Sequence, residues 1–254
     1  MPKELLPIVD KPIIQYAAEE AVRAGINTLI FVTGRNKRAI EDHFDANLEL
    51  EAALKQKGKR EAAEMVHNLL PPGVECIFVR QPVQSGLGHA VACAERAVAG
   101  APFAVLLADD FILSPGAGVT ANLVEAFEKT GNTQLSVMQI DGPGISKYGV
   151  VKPGKKPGQV EGLIEKPDFD KAPSDLASIG RYVLTPDIFD ILRDLPPGSG
   201  GEIQLADAIN IQAARGRVDS VVMDGNRYDC GSVDGYLDAI TAVAAERRAK
   251  RTAG

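Results

Sequence analysis

An α/β fold, a Rossmann-like doubly wound mixed sheet with a smaller antiparallel sheet appended, follows from two patterns in this sequence. Up to about residue 132, short unbroken apolar runs alternate with helix-period stretches, as strands buried on both faces of a parallel layer do. The runs are TLIFVT at 28–33, ECIFVR at 75–80 and FAVLL at 103–107. From about 133 to 232 the pattern changes. Strand-like runs at 133–140, 148–151, 159–165 and 177–184 follow one another through Gly/Pro turns with no helix between them, which points to antiparallel or mixed pairing. No internal repeat or low-complexity linker divides the chain, so 1–254 reads as one domain with two halves, 1–132 and 133–232, and a closing helix at 233–250.

The elements can be justified in order. The opening segment from Lys3 to Tyr16 holds a lysine, two prolines and a helix start. Pro7 and Pro12 fix φ near about −65° and remove two backbone donors, which makes a stiff loop. Asp10 is placed to cap the next helix, with Pro12 near its first turn. That helix, 13–24, sets Ile14, Ala17, Ala18, Ala21 and Val22 along one stripe and stops at Gly25. A charge-laced helix is expected over 48–69, ended by Pro71-Pro72, and a small-residue helix over 89–99. Later, a helix begins near Glu202 and runs to 214, and a strand covers 218–223. The last helix ends in Arg247, Arg248, Lys250 and Arg251, read as a solvated basic end.

Composition narrows the function classes. The chain has 254 residues, of which 45% are hydrophobic and 24% charged, an ordinary soluble globular balance with enough length for a substantial core. A formal net charge of −6 argues against a nucleic-acid partner, though lysines clustered at one site can still hold an anionic substrate. Cys76, Cys93 and Cys230 are widely spaced and lack a CxxC pair, which reads as reduced thiols in the cytoplasm. His43, His67 and His89 lack metal-ligand spacing, so a zinc site is not expected. No signal peptide or long apolar stretch points to secretion or to a membrane.

Ligands of open α/β sheets sit at the carboxyl ends of the strands, and three strand ends here are chemically pointed. After 75–80 come Gln81 and the run Gly86-Leu87-Gly88-His89-Ala90. An amide suits the edge of a pyrimidine and glycines admit a flat base, but a plain glycine turn before a helix has the same appearance. After 103–107 come Asp109 and Asp110, either magnesium ligands or turn and cap residues. After 218–223 comes Asp229 within Tyr228-Asp229-Cys230-Gly231, a weaker metal candidate. In the second half, strand alternation points Glu165 and Lys166 to opposite sides unless the strand ends or kinks at Pro167. That pair could bind a sugar phosphate or be an exposed Glu/Lys pair. The glycines near Ser199 lack the Lys-Ser/Thr of a Walker motif.

Several segments together resemble the nucleotide-sugar pyrophosphorylases, specifically the bacterial UTP–glucose-1-phosphate uridylyltransferase family, over essentially the whole chain. They are KELLPIVDKPIIQY at 3–16, FVTGRNKRAIEDHFD at 31–45, RQ with GLGHA at 80–90, EKP at 165–167, IGRY at 179–182 and GSGGEIQL at 198–205. The resemblance implies that Lys3 lies against nucleotide phosphates and that Gln81 and Gly88 contact uracil. It also implies that Asp109 binds Mg2+, with Asp229 helping. Glu165 then holds glucose hydroxyls, Lys166 the sugar phosphate, and Gly149 and Gly180 shape the hexose site. Ala108 stands where the family usually has proline.

The implied reaction joins UTP and glucose 1-phosphate into UDP-glucose and pyrophosphate, in a homodimer or homotetramer. The alternatives are a catalytically impaired nucleotide-sugar-binding homologue, or a thymidylyltransferase of the same fold. A Rossmann oxidoreductase is disfavoured, since no G-x-G-x-x-G follows a strand. The family's G-x-G-T-R-x-x-P loop and the strand before it have no counterpart ahead of Lys3. The expectation is therefore a loosely held Lys3, weak UDP-glucose binding and slow turnover.

Overall fold

A computed structural model describes residues 2–253. The chain opens with a tight hairpin, β1 (Pro7–Ile8) and β2 (Lys11–Pro12), antiparallel to each other. Its turn holds Val9 at φ 64°, a left-handed conformation that a β-branched residue adopts only when its surroundings impose it. Ile8 beside it is fully buried, and the Tyr16 hydroxyl donates to the Ile8 carbonyl at 2.9 Å. Asp10 does not cap the helix that follows. Helix α1 (Ile13–Arg23) has Pro12 at its N-cap and no side-chain cap, and Asp10 instead accepts from Arg247 in the C-terminal helix. Gly25 ends α1 at φ 85°, as expected.

β3 (Thr28–Thr33) and β4 (Glu75–Arg80) pair in parallel with each other. A helix, α2 (Arg38–Phe44), follows β3, and the helix expected over 48–69 is two short ones, α3 (Leu48–Gln56) and α4 (Arg60–His67). Gly58 at φ 70° turns the chain between α3 and α4, a conformation cheap only for glycine. The small-residue helix likewise divides into α5 (Leu87–Cys93) and α6 (Glu95–Val98).

β5 (Phe103–Leu106) joins a six-stranded mixed sheet with β7 (Thr133–Gln139), β8 (Gly149–Pro153), β9 (Val160–Glu165), β10 (Leu176–Leu184) and β11 (Val218–Val222). β10 is the strand shared between the halves. One end of it pairs with β8 at Ala177, and the other pairs antiparallel with β5 over 181–184. The appended antiparallel strands β8 and β9 are thereby continuous with the central sheet. β7 and β11 are parallel, which makes the sheet mixed.

The sequence reading passed over several elements. β6 (Asp110–Leu113) and β12 (Asn226–Asp229) form an antiparallel pair of their own. Helix α7 (Val119–Thr130) lies between β6 and β7, and α8 (Ile188–Asp194) follows β10. α9 (Leu205–Ala214) starts after the expected Glu202, and α10 (Val233–Ala253) closes the chain. The largest apolar cluster fills the space between the sheet and α5, α8 and α9, with Leu135, Val137, Leu184, Ile188 and Ile209 nearly inaccessible. Burial of this kind contributes roughly 1.5–3 kcal/mol for each large aliphatic side chain. A second cluster joins Ile8, Ile13 and Phe111 to Ala239 and Val243, tying the first hairpin to α10.

Candidate functional site

The turn after β5 and the end of β12 lie together because β6 and β12 pair in the register Asp110 to Asp229. Asp109 and Asp229 flank Gly231: a methyl group built there would stand 3.0 Å from Asp229 Oδ1 and 3.5 Å from Asp109 Oδ2. Lys3 Nζ reaches Asp109 Oδ2 at 2.6 Å across the sequence. That hydrogen bond first, with the charges of Asp109, Glu4 and Asp229 adding to it, holds the Lys3 ammonium above its ordinary pKa against partial burial. Lys3, expected to be loosely held, makes this ion pair and lies in a segment with further anchoring contacts. Glu4 beside it pairs with Lys37 at 2.6 Å, Ile13 N–H donates to the Leu6 carbonyl at 3.0 Å, and the Tyr236 hydroxyl donates to the Pro7 carbonyl at 2.7 Å.

The neighbouring Asp110 has a different task. Its Oδ2 accepts the Gly180 N–H at 2.6 Å, and its Oδ1 accepts from Arg227 Nε at 2.8 Å and from Arg227 Nη2. Both oxygens are saturated and only 8% of the residue is exposed. Behind it, Arg181 is buried against Glu20, with the closest charged contact at 3.0 Å, and donates to the Leu107, Gly180 and Asp110 carbonyls. Burial alone would raise the Glu20 carboxyl, but the Arg181 charge and hydrogen bonds from Arg181 and Thr120 outweigh it and hold the group below its ordinary range. Gly180, expected to leave room for a hexose, gives the space on its Cβ side to protein. A Cβ there would meet Asp110 Oδ2 and Leu107 Cβ at 2.6 Å each, so the missing side chain makes way for those two residues.

At the end of β4, Gln81 Nε2 donates to the Gly86 carbonyl at 3.1 Å and lies 3.1 Å from His89 Nδ1. Its amide nitrogen is engaged within the loop, while Oε1 has no protein partner among the described residues. Gly88 N–H donates to the Ile203 carbonyl at 2.9 Å, and Cβ atoms at Gly86 or Gly88 would strike that carbonyl. These glycines admit the 202–203 segment, so in this arrangement no base contact comes from the Gly88 amide.

Gly149 and Glu165 are direct partners across β8 and β9. A methyl at 149 would come within 3.1 Å of Glu165 Oε2, so glycine opens the space the carboxylate uses. β9 ends at Glu165, and Lys166 turns at φ 44° immediately before Pro167. The residue before a proline is pushed toward extended conformations, so this kink is strained. It brings Lys166 Nζ to 3.7 Å from Glu165 Oε1 rather than to the opposite face, and both side chains stay more than 60% exposed. The Lys166 N–H donates to the Tyr148 carbonyl at 3.0 Å. Beside them lies a cavity of about 180 Å³ lined by Leu87, Gly149, Glu165, Ser178, Tyr182 and Gln204. That is below the roughly 300 Å³ of a typical drug-sized ligand site. The Ser178 hydroxyl is buried beside Tyr182, and burial, opposed by the Ser178 hydroxyl, pushes the Tyr182 phenol up to about 12.

The model of the nucleotidyl transferase family matches residues 1–246. A UTP–glucose-1-phosphate uridylyltransferase 2 of Staphylococcus saprophyticus is 47% identical over 93% of this chain and 82% of its own. The chain belongs to this family. Solved structures of UDP-glucose pyrophosphorylases agree. An apo form is 42% identical with TM-score 0.91, covering 97% of this chain and 92% of its own. A UTP-bound enzyme from Acinetobacter baumannii is 36% identical with TM-score 0.91, covering 97% of this chain and 87% of its own.

Within this uridylyltransferase framework the sequence reading missed Glu20 and Arg227, and it singled out the segment of Tyr148 without giving that residue a role. One signal was available: Arg181 is the one charged residue in the run LASIGRYVL, and a buried guanidinium demands a carboxylate. Finding Glu20 as its partner required the fold. As a magnesium site, Asp109 and Asp229 offer two exposed-side carboxylates, and hard oxygen ligands of that number suit Mg2+ when phosphates and water supply the rest. Asp110 is excluded by its saturation. Among the described residues no group of three or more His, Cys, Asp or Glu could hold a metal without such help.

Proposed function

We propose that the chain forms UDP-glucose and pyrophosphate from UTP and glucose 1-phosphate, at a site spanning Lys3, Asp109 and Asp229 on one side and Glu165 and Lys166 on the other. The observation carrying this reading is the presence of two incompletely satisfied charged clusters: Lys3 with the carboxylates of the turn after β5 and the end of β12, and the strained Lys166 with Glu165 at the end of β9, a strand in the same six-stranded sheet as β5. A phosphate oxygen of glucose 1-phosphate attacks the α-phosphorus of UTP. The new P–O bond forms as the bond to the β-phosphate oxygen breaks, and pyrophosphate leaves. No general base is needed, because a phosphate monoester with a second pKa of about 6 is largely dianionic at neutral pH. The residues therefore act by positioning and by meeting charge.

Lys3, fixed on Asp109 and kept protonated, faces the nucleotide phosphates. Lys166 neutralises the sugar phosphate while Glu165 accepts from sugar hydroxyls in the space Gly149 leaves. Gln81 Oε1, free of protein partners among the described residues, accepts the uracil N3–H. Mg2+ held by Asp109 and Asp229 supplies charge neutralisation on the phosphates when bound. The three free thiols suit a reducing cytoplasm, and the exposed Val233 and Leu237, one turn apart on α10, suit self-association into a dimer or tetramer. No described helix is long and apolar enough to cross a membrane.

The test is pyrophosphate release from UTP in the presence and absence of glucose 1-phosphate and Mg2+. Release that needs both supports the reading. UDP-glucose binding without any pyrophosphate release would reduce the chain to a nucleotide-sugar binder.

A further inference from the structure

Arg227 and Tyr148 are absorbed by neither cluster, yet they touch both. Arg227 sits on β12 two residues before Asp229, and its Nε and Nη2 bind Asp110, the neighbour of Asp109. Its remaining arm leaves that side. Nη1 donates to the Tyr148 hydroxyl at 2.9 Å, and the guanidinium carbon stands 5.1 Å from the Tyr148 ring centre. The Asp110 charge, by attraction and hydrogen bonding, outweighs burial and raises the Arg227 pKa, so the fork stays charged. At its other end Tyr148 accepts the Lys166 N–H on its own carbonyl and directly precedes Gly149, the cross-strand partner of Glu165.

We infer that Arg227 and Tyr148 form a positioning strut that fixes the distance between the carboxylate pair Asp109/Asp229 and the sugar-phosphate pair Glu165/Lys166. The inference rests on the uridylyltransferase reading above. Its geometry is a continuous chain of contacts: carboxylate turn, Asp110, Arg227, Tyr148 hydroxyl, Tyr148 carbonyl, Lys166 N–H. The contacts between residues are hydrogen bonds or a charge-assisted fork, the remaining links run through the covalent chain and the Tyr148 side chain, and the central ion pair is about nine-tenths buried. A strut of this kind acts on a ligand that spans both halves and leaves alone a ligand held by one half. Such positioning matters because a misplacement of about 1 Å between reacting groups can cost roughly 10² in rate.

The experiment is calorimetric titration of the full chain, with Mg2+ present, by UDP-glucose and separately by UTP. It compares the unsubstituted protein with Tyr148→Phe, which removes only the hydroxyl, and with Arg227→Lys, which keeps a charge for Asp110 but loses the fork. Thermal melts run alongside. The strut predicts that both variants lose about tenfold in UDP-glucose affinity, the size of one charge-assisted hydrogen bond, while UTP affinity is unchanged and kcat falls more than KM. Equal weakening of both ligands, or none, in a folded Tyr148→Phe chain overturns the strut and leaves the uridylyltransferase reading intact. Failure of the unsubstituted chain to bind UDP-glucose overturns that reading, and the strut with it.

Discussion

Asp109 and Asp110 are chain neighbours, yet they belong to regions with opposite rules. Around Asp110 lies a buried ionic network, Glu20–Arg181 and Asp110–Arg227, in which every acidic oxygen has a donor. Around Asp109 lies an open rim, where, among the described residues, a half-exposed Lys3 is the one cation paired with that carboxylate. The same contrast separates Arg181, fully enclosed, from Lys166, exposed on a strained turn. Saturated groups cannot accept a ligand and must hold the fold; unsaturated ones contribute little to the fold and remain free for phosphates. Charge type does not decide function here. Burial and saturation do.

The sharpest way to break this comparison is to remove a member of the buried network. Arg181→Met leaves the Glu20 carboxylate buried without its cation, and removing one partner of such a pair costs about 3–5 kcal/mol. Urea unfolding should show a loss of that order, with activity falling only as the folded fraction does. A loss below about 1 kcal/mol would mean the network is dispensable.

A smaller effect is expected on the rim. Glu165→Ala should raise the KM for glucose 1-phosphate well above any change for UTP, by an amount corresponding to about 1–3 kcal/mol for hydrogen bonds to a charged group. Its melting temperature should hardly move, because the side chain is exposed. Equal effects on both substrates would place Glu165 away from the sugar.

The smallest effect is read by pH. The Glu20 carboxyl is held below its unfolded value of about 4.3. Its contribution is therefore fully present above that value and is lost as pH falls through the lower folded one. Denaturant midpoints should decline on acidification below about pH 4, and less steeply in Glu20→Gln, whose stability is already lower at neutral pH. Identical slopes in the two proteins would contradict the assignment.

The alternation of apolar runs and helices made the α/β class legible from sequence, because strands buried in a sheet leave unbroken apolar stretches. TLIFVT, ECIFVR and FAVLL all became strands within a residue of their expected ends. The β6–β12 pair was not legible, since DFIL and NRYD are short and half polar, and only the register that places Asp229 opposite Asp110 gives them meaning. The helix over 48–69 failed at Gly58, where charge patterning continued but the backbone turned. At the site, residue types at strand ends pointed to Asp109 and Asp229, and the family resemblance pointed to Lys3 and the Glu165/Lys166 pair; the structure brings Lys3 to Asp109 and Lys166 to Glu165. Gly88 and Gly180 were found too, but their neighbours proved to be protein: Ile203 in one case, Asp110 and Leu107 in the other. A glycine in a sequence signals close approach without saying what approaches. The partners Glu20, Arg227 and Tyr148 join segments far apart in the chain, information a linear reading does not hold.

The account is tested most directly by making Asp109→Asn and Asp110→Asn side by side and measuring pyrophosphate release and thermal melting on both. Asp109→Asn should keep the melting temperature and lose roughly 10²–10³ in Mg2+-dependent kcat, the cost of one preorganised charge-stabilising group. Asp110→Asn should show the reverse emphasis, a clear fall in melting temperature because Arg227 is left buried without its counter-charge. If Asp109→Asn keeps its Mg2+-dependent rate, or the two variants lose stability and rate in the same proportion, the division between a saturated network and an open rim is wrong.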